Sequence, residues 1–325
     1  MKQFLSCDWG TSSFRLRLVN TDDFKIIAEV KDNNGIAATF AAWQQTGQPE
    51  DRVSFYLDVI KKHIGNIEQK INASLAGVQV IISGMASSTI GFFEIPYSPL
   101  PVAIDGAGIK TVSVADGQQF EHDVLVISGL CSEDDVVRGE ETQLIGCIDP
   151  SAGQIDGELF IFPGTHSKHL LVKADQITAI KTYMTGEVFE LLSQKSILRL
   201  SVQSSYNLDI PEDTDAFKKG VRDAAADNLL HTVFKVRTNS LLNKLSGKEN
   251  FNYLSGLLIG TELKDLQTIG LERINLLGGS NLIEYYRNAL AELGLLAKTS
   301  IINASVADEA VIYGQYKIYK KTKYE

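Results

Sequence analysis

The sequence predicts an α/β protein, because short apolar runs alternate along the chain with longer stretches of helical periodicity. The strand-like runs are Gln3–Cys7, Arg15–Val19, Val78–Ile82, Val124–Ile127, Leu159–Phe162, His169–Val172 and Ile274–Leu277. The helix-like stretches are Arg52–Ile71, Glu141–Cys147, Glu187–Gln194, Asp215–Leu230, Tyr253–Leu266, Leu282–Leu293 and Asp308–Lys320. Strands interleaved with helices are typical of α/β folds.

The length of 325 residues favours two domains over one. A connector rich in proline and glycine runs from Ile148 to Gly157 and includes Pro150 and Gly153. We therefore predict an N-terminal domain over residues 1–150 and a C-terminal domain over residues 151–325.

The charge and the cysteine content of the chain limit the kinds of molecule that it is expected to bind and the compartment in which it is expected. The net charge is −9 and the pI is about 5.2, which argues against binding to nucleic acid or to a membrane surface. No apolar run reaches the roughly 18 residues of a membrane span. The three cysteines, Cys7, Cys131 and Cys147, show no C-x-x-C spacing, which favours free thiols in a reducing cytosol. We expect a cytoplasmic protein; a homodimer is left open.

The most informative segment is the N-terminal hairpin, Phe4–Val19. Its first strand ends at Asp8, and its return strand alternates between apolar residues and arginines. The turn consists of Gly10, Thr11, Ser12 and Ser13. Glycine lets a backbone approach a ligand closely, and free N–H and O–H groups can donate to phosphate oxygens. Asp8 could hold Mg²⁺, which prefers carboxylate oxygens. The alternative is an ordinary hairpin with a polar turn.

A second hairpin, Leu159–Val172, repeats this pattern. Its turn contains Gly164, Thr165 and Ser167, and Lys168 adds a point charge for a phosphate. No metal-ligand spacing surrounds His166 and His169, so we interpret them as surface or supporting histidines.

A third feature is the strand that runs into Gly278 and Gly279, followed by a helix that begins near Ser280. Glycines there allow a flat ring or a ribose to approach, and a helix N-terminus favours anionic groups. Tight packing of the strand on the helix explains the glycines equally well.

Together these features resemble the superfamily of sugar kinases, actin and heat-shock chaperone ATPases. The resemblance implies two ribonuclease-H-like (actin-like ATPase) domains that flank a nucleotide cleft. It also implies that the C-terminal helix around Asp308–Lys320 packs back on the first domain. The hairpins correspond to the phosphate-1 and phosphate-2 motifs, and Gly278-Gly279 corresponds to the adenosine motif. The chain has no G-x-x-x-x-G-K-[ST] motif, which disfavours a P-loop kinase.

Six segments narrow the resemblance to the 2-dehydro-3-deoxygalactonokinase family. They are Asp8–Thr11, Ser83–Met85, Arg138–Gly146, Pro163–Lys168, Met184–Glu187 and Leu254–Glu262. The most specific is the Arg-Gly-Glu-Glu-Thr-Gln run that begins at Arg138. The chain departs from the family pattern at Ala86–Thr89, which bears on sugar selectivity.

This family phosphorylates 2-keto-3-deoxygalactonate with ATP and Mg²⁺, so the resemblance implies those ligands and assigns residues to them. Asp8 is the expected metal ligand. The expected nucleotide-binding residues are Gly10, Thr11, Ser12, Arg15, Gly164, Thr165, Ser167, Lys168, Gly278, Gly279 and Ser280.

The base that accepts the proton of the sugar hydroxyl is usually an aspartate followed by threonine in these kinases. Here the matching position offers Glu140 and Glu141. Glu141-Thr142 best imitates an Asp-Thr pair, so we predict Glu141 as the base and keep Glu140 as the alternative. A carboxylate pair that only stabilises the start of the helix is the competing interpretation.

The substrate carboxylate needs a cation, and Arg138 is the leading candidate because a guanidinium binds a carboxylate through two hydrogen bonds. A salt bridge from Arg138 to Glu133 or Asp134 is equally compatible with the sequence. The other candidate substrate-binding residues are Ser83, Met85, Ser87, Thr185 and Glu187. The alternatives to this function are a kinase of another sugar acid or a neutral sugar, and a nucleotide-bound sensor without transfer activity.

Overall fold

The computed structural model describes residues 2–47, 52–114, 120–149 and 153–324, and the chain divides into two compact units. Unit 1 comprises Met1–Gln154, Asp175–Ile180 and Ser305–Glu325, and unit 2 comprises Ile155–Ala174 and Lys181–Ala304. The predicted boundary at residue 150 lies outside the described residues. The chain crosses between the units more than once, because the C-terminal helix belongs to unit 1.

Unit 1 is built on one sheet, whose strands are β1 (Gln3–Trp9), β2 (Phe14–Asn20), β3 (Ile26–Asp32), β4 (Val80–Gly84), β7 (Thr111–Val114) and β8 (Val124–Ile127). Their order in the sheet is β3-β2-β1-β4-β8-β7. β1 runs antiparallel to β2 and parallel to β4, and β4 runs parallel to β8. This order and these directions are those of a ribonuclease-H-like sheet, so the predicted α/β fold class is confirmed.

Four helices of unit 1 matter for the site. They are α1 (Ile36–Gln45), α2 (Arg52–Ile71), α3 (Glu140–Cys147) and α9 (Ala304–Tyr324). α2 buries Tyr56, Ile60, Ile64 and Ile67 on one face, at the spacing of an amphipathic helix, and packs them on a core that includes Trp9 of β1. The sequence did not predict α1, because its apolar residues form no stripe and only Ile36 and Thr39 are buried.

α9 contacts α3 and the central strands. An added Cβ on Gly146 of α3 would lie 1.6 Å from the carbonyl oxygen of Ala310, so the two helix backbones touch. The Nε2 of Gln315 donates to the carbonyl of Cys7 at 2.8 Å and to the Oγ of Ser83 at 2.9 Å. α9 therefore fixes α3 relative to the adjacent ends of β1 and β4.

Unit 1 also contains short strands that the sequence did not predict. β5 (Ser98–Pro99), β9 (Leu130–Cys131) and β10 (Val136–Val137) form a small sheet with the order β10-β9-β5. β6 (Val102–Ala103) pairs with the first residues of β13 (Gln176–Tyr183). Two-residue strands are too short to show an alternating pattern.

Unit 2 repeats the arrangement of the first sheet. β11 (Glu158–Phe162) runs antiparallel to β12 (Ser167–Lys173) and parallel to β14 (Arg273–Leu277), which runs parallel to β15 (Thr299–Ile302). The order β12-β11-β14-β15 therefore matches β2-β1-β4-β8 of unit 1.

The helices of unit 2 surround α7 (Gly247–Leu263), whose side chains are mostly buried. The others are α4 (Thr185–Glu190), α5 (Pro211–Ala226), α6 (Leu229–Leu241) and α8 (Ser280–Glu292). An added Cβ on Gly256 would lie 2.1 Å from the carbonyl oxygen of Phe217, so this glycine lets α7 touch α5. An added Cβ on Gly260 would likewise lie 2.8 Å from the Cα of Val221.

None of the helices in the described part of the chain is both long and apolar enough to cross a membrane.

Candidate active site

The backbone at the start of α1 contacts the turn of the first hairpin and forms a hydrogen bond with it. The N–H of Gly10 donates to the carbonyl of Ser13 at 2.9 Å, and the N–H of Ile36 donates to the carbonyl of Gly10 at 2.9 Å. An added Cβ on Gly35 would lie 2.5 Å from the backbone nitrogen of Ser12, so only glycine fits there. The side chains of Thr11 and Ser12 are exposed. The structure thus places hydroxyl donors on a fixed loop, and the sequence reasoning missed Gly35.

Asp8 lies at the end of β1, immediately before this turn. Within the described ranges its carboxylate takes part in no hydrogen bond or ion pair. Burial raises the pKa of this carboxyl, while the positive charges of Arg15 and Arg17 act in the opposite direction. A partly desolvated carboxylate without a hydrogen-bonding partner is suited to a cation.

The donor set is compatible with Mg²⁺. No group of three or more His, Cys, Asp or Glu side chains that could hold a metal is found among the residues that the structure describes. Mg²⁺ in kinase sites is bound by one or two carboxylates together with substrate phosphates and waters, and needs no cage made wholly of protein ligands. The carboxylate of Asp8 alone is therefore enough as the protein ligand of such a site.

Arg15 is engaged by carboxylates of unit 1. Its Nη1 lies 2.8 Å from an Oδ2 of Asp308, and its Nε lies 3.7 Å from Glu29. Arg17 lies beside it and pairs with Glu29 at 2.8 Å. In this arrangement the charge of Arg15 is compensated by protein groups.

Two glycines connect Asp8 with the start of α3. Gly84 at the end of β4 and Gly139 before α3 both have positive φ, +88° and +110°. A Cβ on Gly84 would lie 3.6 Å from the Oδ1 of Asp8, and a Cβ on Gly139 would lie 3.5 Å from the Cα of Gly84. The absence of side chains here lets the strand end that carries Asp8 approach the helix that carries Glu141.

Glu141 is fully buried, and its carboxylate is held by its own segment. Its Oε2 accepts from the N–H of Gly139 at 2.7 Å, and its Oε1 accepts from the hydroxyl of Thr142 at 3.0 Å. Burial, and to a lesser extent the charge of Glu140, raise the pKa of Glu141 to about 7. Glu140 is only partly buried. Glu141 therefore has the pKa of an effective base at neutral pH, and Glu140 has the better access to solvent.

Arg138 precedes Gly139 and is held by two neighbours. Its Nη1 donates to the carbonyl oxygen and to the Oγ of Ser87, and its guanidinium lies over the ring of Tyr97, 4.2 Å from the centroid. No ion pair joins Arg138 to Glu133 or Asp134 in the described part of the chain. Ser83 is buried and accepts from Gln315, whereas Met85 is partly buried beside it.

The turn of the second hairpin, in unit 2, divides into an exposed and a buried part. Thr165 is exposed, Gly164 and Lys168 are partly buried, and Ser167 is fully buried. The hydroxyl of Ser167 donates to an Oε1 of Glu262 at 2.7 Å. Because a serine has one hydroxyl proton, this side chain offers no further donor to a phosphate in this arrangement.

Glu262 of α7 is the centre of a buried hydrogen-bond network that the sequence reasoning missed. Besides Ser167, its carboxylate bonds to His169 at 2.8 Å, Thr185 at 2.5 Å and Tyr286 at 2.7 Å. Burial alone would raise the pKa of Glu262, but His169 and the hydroxyl donors lower it overall. His169 has the supporting role that the sequence predicts. The network joins β12, α4, α7 and α8.

The Met-Thr-Gly-Glu segment packs directly on the second turn. An added Cβ on Gly186 would lie 2.6 Å from the carbonyl oxygen of Gly164, and the N–H of Glu187 donates to the carbonyl of Thr165 at 3.0 Å. The carboxylate of Glu187 lies 2.5 Å from His166. Thr185 and Glu187 thus support this turn through contacts within unit 2.

An apolar cavity of about 180 Å³ lies within unit 2. Its walls include Gly164 of the second turn and Leu282 of α8, and aromatic side chains from Phe189, Tyr206 and Phe251. An added Cβ on Gly278 would lie 3.6 Å from the ring of Pro163, and Gly279 has open space around it. The side chain of Ser280 lies outside the described residues.

Comparisons with known proteins agree with the motifs. A family profile described as 2-keto-3-deoxy-galactonokinase matches residues 8–318. A Rhizobium meliloti (strain 1021) protein called "probable 2-dehydro-3-deoxygalactonokinase DgoK1" is 32% identical over 321 residues, 96% of this chain and 94% of the relative. The 2-dehydro-3-deoxygalactonokinase of Escherichia coli (strain K12) is 33% identical over 224 residues, 66% of this chain and 71% of the relative.

A solved structure extends the likeness to three dimensions. A Sinorhizobium meliloti protein assigned as a 2-dehydro-3-deoxygalactonokinase has a TM-score of 0.77 at 28% identity, covering 98% of this chain and 96% of the other. The family predicted from the motifs is therefore confirmed: the chain belongs to the 2-keto-3-deoxy-galactonokinase family of sugar-acid kinases.

Proposed function

We propose that this chain transfers the γ-phosphoryl group of ATP to the 6-hydroxyl of 2-dehydro-3-deoxy-D-galactonate. The observation that carries the proposal is the pair of carboxylates in unit 1. Asp8 and the helix of Glu141 approach each other across Gly84 and Gly139, and the pKa of Glu141 is raised to about 7. Phosphoryl transfer to a hydroxyl requires a group that binds the metal cation and, close to it, a base that accepts the hydroxyl proton.

Glu141 is the proposed base. It accepts the hydroxyl proton while the sugar oxygen forms a bond to the γ-phosphorus. The bond between that phosphorus and the oxygen bridging to the β-phosphate breaks, and ADP leaves. The hydrogen bonds from Gly139 and Thr142 orient the carboxylate. Because Glu141 is fully buried here, the proposal requires that substrate binding expose it; Glu140 is the alternative base.

Each polar turn is proposed as a phosphate-binding loop of its own unit. In unit 1, Gly10, Thr11 and Ser12 offer backbone and hydroxyl donors on a loop fixed by α1. In unit 2, the donors are Gly164, Thr165 and the ammonium of Lys168, while Ser167 orients the turn through Glu262. We assign Asp8 to Mg²⁺, which when bound neutralises charge on the β- and γ-phosphate oxygens.

Adenosine is the proposed occupant of the apolar cavity of unit 2. Its aromatic walls suit a flat ring, and Gly278 and Gly279 leave the backbone accessible beside α8. For the sugar acid, Arg138 is the proposed partner of the carboxylate, and Ser83 and Met85 lie on the segment that follows β4.

The test is ADP release with a panel of sugars at fixed Mg²⁺ and ATP. The panel contains 2-dehydro-3-deoxy-D-galactonate, its C4 epimer 2-dehydro-3-deoxy-D-gluconate, and a neutral hexose. We expect the highest kcat/KM for the galactonate derivative. A preference for another compound would assign a different substrate, and ATP binding without ADP release in any mixture would favour a sensor.

A further inference from the structure

Tyr97 belongs to no motif discussed above, yet it lies beneath the guanidinium of Arg138. The small sheet of unit 1 explains this placement. Tyr97 immediately precedes β5 and Arg138 immediately follows β10, and both strands pair with β9. A sheet that is only two residues long per strand therefore brings together two side chains that are 41 positions apart in sequence.

The Tyr97 ring also packs closely against Gly129, which precedes β9. An added Cβ on Gly129 would lie 2.9 Å from Cε1 and 3.0 Å from Cδ1 of Tyr97. The N–H of Ser98 donates to the carbonyl of Gly129 at 2.9 Å, and the Nζ of Lys110 donates to the carbonyl of Tyr97 at 3.0 Å. The ring thus contacts both the Gly129 backbone and the guanidinium, and the peptide group between Tyr97 and Ser98 is hydrogen-bonded through its C=O and its N–H.

The guanidinium of Arg138 is contacted at its Nη1 atom and on one face of its plane. Nη1 donates to both the carbonyl oxygen and the Oγ of Ser87, and one face of the guanidinium lies over the Tyr97 ring, 4.2 Å from its centroid. Nε is buried and has no hydrogen-bond partner within the described residues. Nε and Nη2 form one of the two edges through which a guanidinium binds a carboxylate with paired hydrogen bonds.

We propose that Tyr97 is a positioning residue that orients Arg138 for the carboxylate of the sugar acid, and that it thereby contributes to selectivity for acids over neutral sugars. The inference rests on the proposed function, in which Arg138 binds that carboxylate. Tyr97 acts through Arg138 and need not touch the substrate. Ser87 has the matching task at the Nη1 atom of the guanidinium.

The experiment is a double-mutant cycle on the full-length enzyme, with kcat and KM measured for the sugar acid and for its neutral methyl ester. Tyr97→Leu should raise KM for the acid about 2- to 30-fold, which is the factor that a cation–π contact of 0.5–2 kcal/mol gives at 1.4 kcal/mol per tenfold. KM for ATP and for the ester should stay within about twofold. Tyr97→Phe keeps the aromatic face and should restore most of the affinity.

The energetic coupling between Tyr97 and Arg138 shows whether Tyr97 positions Arg138 or has a purely structural role. In an Arg138→Ala background, Tyr97→Leu should have no further effect on KM for the acid. Additive effects, or an equal rise in KM for acid and ester, would overturn the proposal. Tyr319→Leu is the matched control, since it removes a cation–π contact with Lys323 from α9, and it should leave KM for the acid unchanged.

A failure of the proposed function would look different, because the wild-type enzyme would then release no ADP with the sugar acid. If Tyr97→Leu does not fold, as judged by thermal unfolding, Ser87→Ala replaces it in the cycle. That change removes only the Oγ acceptor and should raise KM for the acid in the wild-type background but not with Arg138→Ala. A rise in both backgrounds would contradict the proposal.

Discussion

At the scale of single residues, the account depends on two carboxylates whose environments differ. Asp8 lies near the end of β1 and has no hydrogen-bond or ion-pair partner within the described residues, whereas Glu141 is fully buried and accepts two hydrogen bonds. The sequence identified both from motifs. It could not reveal the pKa of Glu141, because that value depends on burial by segments distant in sequence.

Asp8→Asn should lower kcat about 100-fold or more, since it removes charge that holds the metal at the transferring phosphoryl group. Residual activity should require higher Mg²⁺. The measurement is kcat as a function of Mg²⁺ concentration, with circular dichroism to establish that the variant folds. Normal turnover at low Mg²⁺ would remove Asp8 from the mechanism.

Glu141→Gln should lower kcat about 10²- to 10⁴-fold with little change in KM for ATP, because a general base typically contributes that factor. Glu140→Gln is the matched control and should lose less. The reverse ranking would assign the role of base to Glu140, and full activity in both variants would exclude a carboxylate base in this segment.

The raised pKa of Glu141 also predicts pH dependence of both activity and stability. A base must be deprotonated, so kcat should rise as the pH increases through about 7. The free energy of unfolding should change in the direction opposite to kcat. Between the ordinary glutamate pKa of 4.5 and about 7 the folded state binds the proton more tightly, so the free energy of unfolding should fall as the pH rises.

Both dependences are measurable in one series of buffers. Rate profiles and urea titrations from pH 4.5 to 8 should show the opposing slopes in the wild type. Glu141→Gln has no titrating group at this position and should lose this component of the stability slope. An unchanged slope in that variant would mean that another group causes it.

At the scale of secondary structure, the placement of Glu141 depends on the contact between α3 and α9. Glycines at Gly146 and Gly314 permit that contact, since an added Cβ on Gly314 would lie 1.8 Å from the carbonyl oxygen of Thr142. The motif Arg138–Gly146 therefore begins with the residues proposed for the chemistry and ends with Gly146, which packs α3 against α9.

Gly146→Ala should destabilise the protein by about 1–3 kcal/mol, as expected for overpacking, and should lower kcat because α3 must shift. Gly65→Ala in α2 is the control. No atom lies within 4 Å of its added Cβ, so it should stabilise the helix by about 0.5–1 kcal/mol. Thermal unfolding of both variants provides the measurement, and equal melting temperatures would contradict this description of the contact.

The elements that the sequence predicted well are those with a local signal. The hairpins β1–β2 and β11–β12 show apolar alternation around a polar turn, and α2 shows a clear helical stripe. α1 and the sheet β10-β9-β5 have no such signal, since they depend on pairing with distant segments. The same reason explains why Tyr97, Gly35 and the hydrogen-bond network around Glu262 were missed.

At the scale of the whole molecule, each unit carries one hairpin on a sheet of the same strand order. The order β2-β1-β4-β8 in unit 1 and β12-β11-β14-β15 in unit 2 gives each hairpin a parallel strand as its neighbour. The family and the fold class could be predicted from motif order. The superfamily resemblance also implies that the last helix packs on the first domain. The assignment of residues 175–180 to unit 1 could not be predicted, because it depends on contacts between segments far apart in the chain.

The proposed reaction of this chain is the transfer of a phosphoryl group from ATP to a sugar acid. The most direct measurement is mass spectrometry of 2-dehydro-3-deoxy-D-galactonate after incubation with enzyme, Mg²⁺ and ATP, together with ADP quantification. We predict a product that carries one added phosphoryl group, formed in equal amount to ADP and nearly absent with Glu141→Gln. ADP formed without a phosphorylated sugar, or no turnover with this substrate, would contradict the account.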